Sequence, residues 1–508
     1  MKSRFLLLCL SVIILVGCGS EPDAAATPSP ATTATVPPPT APAEVVSTPT
    51  PVIGAAATPL PEATLSLPDN SHLPPSPFFT GAWEERSIYA STLIGSEQDI
   101  LSGLPGATVY HLEIEIDESL LALRGREAVL YTNRADVSLN EIYLRLFPNI
   151  FGGSSTVSEV QVNDQPVTPA LELNDSALRI PLEPALSPGE QVVIRLTFDL
   201  TVPTTPAGNY GAYATINNVM ALAHFYPMVS VYDDEGWNIE IAPPAGDVVY
   251  AEASFYQVRI TAPANLVLVT SGNIIEQQTV DDQQIVTAVA GPARDFYLAG
   301  SPYFVPLTGQ SGESTVISYA FGEHAARGRE MLDYAIYAMD LYAEMFGPYP
   351  YTELEFASTS NEALGIEYPG VFVNSMFLYT PEQEISVPDS YYIESTTVHE
   401  TSHQWFYNVV GNDQLDEPWL DEALAQYATY LYFLDRYGAE GAEQFYSTFI
   451  LRWERGSNNA DIPIGLPVSS YVGPEYSGII YGRGPLFLLP CKKRWERRHL
   501  PLSCANII

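Results

Sequence analysis

The chain has 508 residues and carries 60 acidic against 22 basic side chains, a formal charge of −38. That length allows two folded domains plus unstructured linker. The charge excludes nucleic acid as a partner, because tracking a phosphate backbone takes clustered Lys and Arg, and it favours positive substrates or ions instead.

Residues 1–18 read as an export signal: Lys2 and Arg4, an apolar run from Phe5 to Val16, and Gly17 before Cys18. The run is too short to span a membrane as a mature helix. Leu15-Val16-Gly17-Cys18 resembles the lipobox of bacterial lipoproteins. That resemblance implies cleavage before Cys18, acylation of its thiol, and a mature protein exported and lipid-anchored to the cell membrane. Only Cys9 and Cys18 occur before position 491, so the fold is expected to stand without disulfides. Residues 19–80 are rich in Pro, Thr and Ala, bury too little apolar surface to fold, and read as an extended stalk.

Residues 81–304 form a β-rich region. Short runs such as YHLEIEID, VVIRLTFDL and YQVRITA alternate apolar and polar residues between Gly, Pro, Asn and Asp breaks, as antiparallel strands with one buried face do. From about 305 to 489 the period changes to helical. HAARGREMLDYAIYAMDLYAEMF should form a helix stopped at Gly347-Pro348, and further helices are expected near Ile393–Val409 and Trp419–Tyr437, the last closed by Gly438. The fold class expected is multidomain α+β.

The helix near Ile393 carries the candidate chemistry. His399 and His403 lie at i and i+4, so both imidazoles face one side about a turn apart, and Glu400 sits between them. This His-Glu-x-x-His arrangement suits two zinc ligands and a general base. A catalytic zinc usually takes three protein ligands plus water, and Glu422, near the start of the next helix, is the candidate third. Spacing alone leaves its neighbour Asp421 open.

His399-Glu400-x-x-His403, eighteen further residues and then Glu422 within WLDEALA resembles the aminopeptidase N family of zinc metallopeptidases. The resemblance extends to HFYPMVSVYDDEGWN, to MFGPYPY, and to Leu364-Gly365-Ile366-Glu367-Tyr368-Pro369-Gly370, which takes the place of the family's Gly-x-Met-Glu-Asn motif with Ile366 for Met and Tyr368 for Asn. It implies a β saddle-type domain before a thermolysin-like zincin domain, one Zn2+, and peptide substrates held by a free amino terminus on Glu367. It also implies an oxyanion-stabilising tyrosine at Tyr481, in Ile480-Tyr481-Gly482-Arg483-Gly484 with Arg483 for Lys; among 31 tyrosines, Tyr476 and Tyr471 stay open for that role.

Residues 490–508 differ from the rest, holding five of the 22 basic residues and two of the four cysteines. They read as a basic interaction tail, or as a shifted reading frame: synonymous codons taken one base out encode an acidic, helix-forming peptide. A shifted frame would leave the catalytic domain incomplete.

The function expected is a zinc aminopeptidase acting outside the cytoplasm. The alternatives are a catalytically impaired or non-enzymatic lipoprotein that keeps the zinc-binding fold, and an endopeptidase or epoxide hydrolase on the same site.

Overall fold

The computed structural model describes residues 83–243, 246–380 and 389–495. The signal with Cys18, the stalk and the tail beyond Trp495 lie outside these residues. The described residues fall within one compact unit, Leu65–Ile508.

The first half is built on an eight-stranded sheet. Its strands are β1 Val109–Ile116, β2 Ala122–Thr132, β3 Ser154–Val162, β4 Gln165–Pro166, β5 Gln191–Thr201, β6 Ser254–Pro263, β7 Asn273–Val280 and β8 Gln283–Ala293, in the order β7-β8-β6-β1-β2-β5-β3-β4. The alternation does what the sequence implies. In β5, Val192, Ile194, Leu196, Phe198 and Leu200 are buried while the residues between them are partly exposed, so one face packs and the other meets solvent. One pairing departs from the antiparallel expectation: β1 runs parallel to β6, with Val109 opposite Phe255. Two four-stranded sheets and a two-stranded one complete the half, and the shared core includes Leu112, Ile114, Ile194, Phe198 and Ile260.

The second half opens with a mixed sheet that helical periodicity did not reveal: β9 Phe304–Ser311, β10 Ser314–Phe321, β11 Glu353–Thr359, β12 Gly365–Tyr368 and β13 Val371–Ser375, ordered β9-β10-β11-β13-β12. Continuous apolar runs in its buried strands, as in β13, carry no period-two signal. Helix α1, Ala325–Phe346, crosses between β10 and β11, which lie parallel. Its buried Met331, Leu332, Ala335, Ala338, Met339 and Tyr342 follow helical spacing, and Gly347, at φ 109°, ends it as expected.

Helix α2 runs over Asp389–Ser402, stopping short of the expected Val409, so His403 lies on the turn that follows. Helix α3, Glu422–Ser457, continues past Gly438. That glycine, at φ 68° and ψ −159°, breaks α3 into two rods, and Phe433 on the first stacks on Phe445 on the second at 4.9 Å between ring centres. Helix α4, Gly484–Trp495, follows a π-helical turn at Ile479–Arg483. No helix among the described residues is long and apolar enough to cross a membrane.

A further apolar cluster joins the two halves. Ala212, Val219, Val269 and Tyr297 from the first pack with Phe304, Tyr319, Ile366, Tyr368 and Val371 from the second, which seats edge strand β12 against the β-rich half.

Candidate metal centre and active site

Three elements bring the site together. The last turn of α2 supplies His399 and Glu400, the next turn His403, and the first residue of α3 Glu422. His399 Nε2 lies 3.1 Å from Glu422 Oε2 and 3.2 Å from His403 Nε2, and His403 Nε2 lies 3.6 Å from Glu422 Oε2. Ligands held at about 2.1 Å on a tetrahedral ion sit roughly 3.4 Å apart, so the three atoms have the spacing of donors around one centre. The donor set of two imidazoles and one carboxylate suits zinc and leaves a fourth position open.

Asp421 is not the third ligand. Its Oδ1 lies 2.6 Å from His403 Nδ1, on the far side of the ring from Nε2, and its Oδ2 accepts from Gln414. It acts instead as the carboxylate that sets the tautomer of His403 and keeps the Nε2 lone pair aimed at the centre. His399 differs: its Nδ1 is buried with no hydrogen-bond partner among the described residues.

Glu400 is buried, and its Oε2 has no partner among the described residues. Carboxylate oxygens of Glu400 and Glu367 and a ring nitrogen of His403 all lie within 4.8 Å of one another. Glu367 reaches this position from β12, where it pairs with Phe372 of β13. The glycine two residues before it is dictated by close approach: a Cβ on Gly365 would stand 2.3 Å from Glu400 Oε1, so any side chain there would displace the carboxylate.

Tyr481 lies in the π-helical turn, and its hydroxyl donates to Glu422 Oε1. Such turns recur at functional sites. Tyr471 is committed elsewhere, donating to the carbonyls of Pro463 and Ile464. Tyr476 packs its ring against Tyr481, and its buried hydroxyl lacks a partner among the described residues.

One group from the β-rich half enters the site without any signal in the sequence. An oxygen of Asp247 lies within 4.8 Å of carboxylate oxygens of Glu367 and Asp421, and its Oδ2 has no partner among the described residues. Only tertiary structure places it there, more than a hundred residues from the zinc-ligand motif.

The electrostatics are those of a cation site. Burial pushes Glu367 up to about 8 against the pull of His403, and burial raises Glu400 and Asp247 well above the usual carboxylate range. Burial lowers His399. Burial also opposes charge on His403, but Glu367 and Asp421 hold it well above its ordinary value. Five carboxyl groups crowd this hollow, and a divalent ion with a substrate ammonium would relieve their repulsion.

The family model described as the peptidase family M1 domain matches residues 330–469, which include His399, Glu400, His403, Glu422 and Glu367. Relatives include aminopeptidase M1-D of Oryza sativa subsp. japonica, 24% identical over 35% of this chain and 21% of that protein. A second is probable aminopeptidase 2 of Sulfurisphaera tokodaii, 23% identical over 46% of this chain and 31% of that one. The chain thus spans between a fifth and a third of the length of these relatives. An M1 zinc metallopeptidase of Deinococcus radiodurans shares the fold at a TM-score of 0.54 and 19% identity, over 76% of this chain and 82% of that one. The same Deinococcus protein has been solved with a Tyr-Ser-Ala substrate, with a TM-score of 0.52 to this chain. The His-Glu-x-x-His turn and Glu422 thus fall together inside the stretch, residues 330–469, that is similar to the peptidase family M1 domain.

Proposed function

We propose that this protein is a zinc aminopeptidase that removes N-terminal residues from peptides outside the cytoplasm. The observation that carries the reading is the convergence of His399, His403 and Glu422 beside a buried, unpartnered Glu400 and within reach of Glu367. A single zinc ion on the three ligands would supply Lewis acidity toward water and a peptide carbonyl.

The remaining roles belong to the chain. Glu400 takes the proton of the attacking water and passes it to the leaving amine. Tyr481 donates its hydroxyl to the oxygen on which negative charge develops. Glu367 accepts the substrate's α-ammonium in a charge-assisted contact, which fixes the scissile bond one residue in from the amino end. Asp421 keeps His403 oriented through the cycle.

The exported, lipid-anchored position rests on Lys2, Arg4, the apolar run and Cys18. Replacing Cys18 by Ala should abolish lipid labelling and release the protein from membranes.

Hydrolysis of fluorogenic amino-acid amides by the purified chain tests the activity, with free and acetylated amino groups and with and without a zinc chelator. Chelator-sensitive cleavage of the free-amine substrates alone is expected. Equal cleavage of both forms would point to an endopeptidase instead.

A further inference from the structure

One cation beside the site has no place in this scheme. Arg452 lies on the second rod of α3, where a Cβ on Gly482 would come within 2.8 Å of the Trp453 backbone, so the turn carrying Tyr481 sits directly on that rod. The Arg452 guanidinium carbon stands 5.2 Å from the centre of the Tyr481 ring. The side chain is partly exposed and forms no hydrogen bond or ion pair among the described residues. In a chain with 60 acidic side chains, an arginine left unpaired next to the reacting centre needs a reason.

Its position supplies one. From Tyr391 to Glu400, the partly exposed residues of α2 are Tyr391, Tyr392, Ser395 and His399, a strip at helical spacing that ends on a metal ligand. The Tyr481 ring over which Arg452 stands lies 6.2 Å from the His399 ring, so the guanidinium sits on the side of the site where the strip ends. The amine-binding group lies elsewhere: Glu367 clusters with His403 and Glu400. The site therefore has an acidic flank beside His403 and a basic one beside His399 and Tyr481.

We propose that Arg452 receives the free carboxylate of a short peptide whose amino end rests on Glu367, so that the preferred substrates are dipeptides and tripeptides with an unblocked carboxyl terminus. Arginine presents a planar fork of donors that matches a carboxylate in two parallel hydrogen bonds, and it stays charged at any working pH. Because Arg452 stands against Tyr481 itself, only a carboxylate one or two residues beyond the scissile bond reaches it; an extended tripeptide spans roughly 10 Å. The proposal rests on the aminopeptidase reading and names the substrate class for it.

The test compares Leu-Ala and Leu-Ala-Ala with their C-terminal amides, using the full purified chain loaded with zinc. The free acids should be favoured about tenfold or more in kcat/KM, mainly through KM. Arg452→Gln should bring the acid-to-amide ratio close to one, and Arg452→Lys should keep part of it. The ratio is internal to each variant, so partial loss of folded protein cancels. Equal turnover of acids and amides by the unaltered enzyme would overturn the proposal while leaving the aminopeptidase reading intact. So would a ratio unchanged in Arg452→Gln with both rates reduced alike, since that is what mere support of Tyr481 predicts. No turnover of either substrate would overturn both readings.

Discussion

Two buried histidine–carboxylate groupings in this molecule look alike in composition and differ in what they leave unsatisfied. In the β-rich half, His224 Nδ1 meets Asp295 Oδ2 at 2.7 Å, and Asp295 Oδ1 accepts from the Tyr226 hydroxyl at 2.9 Å and the Phe296 amide at 2.6 Å. Both Asp295 oxygens are used, and nothing converges on an empty point. In the second half, His403 is tied to Asp421 in the same way through Nδ1, yet its Nε2 points at His399 Nε2 and Glu422 Oε2, atoms that compete for protons rather than sharing them well. A closed network of partners stabilises a fold, whereas lone pairs aimed at one another mark a place for an ion.

The comparison is broken most severely at the ligands. His403→Ala should eliminate bound zinc and reduce peptidase activity to background, as metal analysis and hydrolysis assays will report. Glu400→Gln should keep the metal and lower kcat by about a hundred- to ten-thousandfold, the range for loss of a general base. Tyr481→Phe should cost about a hundred- to thousandfold in kcat with metal content unchanged. Asp421→Ala leaves all three ligands in place but frees the His403 ring, so zinc affinity measured by competition with a chromophoric chelator should fall about ten- to a hundredfold.

On the structural side, His224→Ala should cost about 1–3 kcal/mol of stability, since the buried Asp295 loses a partner, while zinc bound per folded molecule stays the same. A pH-dependent effect is expected at Glu355, whose carboxyl group accepts from the Thr270 amide and the Tyr319 hydroxyl where the two halves meet. Burial pushes this carboxyl up to about 8 from an ordinary 4.5. Between those values the folded chain holds a proton that the unfolded chain has released, so this group's contribution is complete at low pH and is lost as pH rises through about 8. Glu355→Gln should flatten the fall in thermal stability across that window, by at most about 1.4 kcal/mol per pH unit.

The clustering of His399, His403 and Glu422, with Glu400 beside them, was legible because it obeys short-range rules. The last turn of α2 and the turn that continues it fix the relation of His399 to His403, and the signal for Glu422 lies only nineteen residues further on. The strands of the first half were legible because one face is wet, as in β5. The sheet from β9 to β13 was not, since buried strands such as Val371–Ser375 lose the alternation that would reveal them. Asp421 looked interchangeable with Glu422 until the ring nitrogen each one faces was known. Asp247 and Arg452 reach the site from distant stretches, and no spacing rule connects them to it. Gly365 had a visible motif, but the reason for glycine is the Glu400 carboxylate that it lies against.

Zinc content of four purified proteins tests the central claim most directly: the unaltered chain, Glu400→Gln, His403→Ala and His224→Ala, each measured after dialysis and corrected for folded fraction. The account predicts about one zinc per chain in the first, second and fourth, and none in the third. Zinc retained by His403→Ala, or lost with His224→Ala, would contradict it.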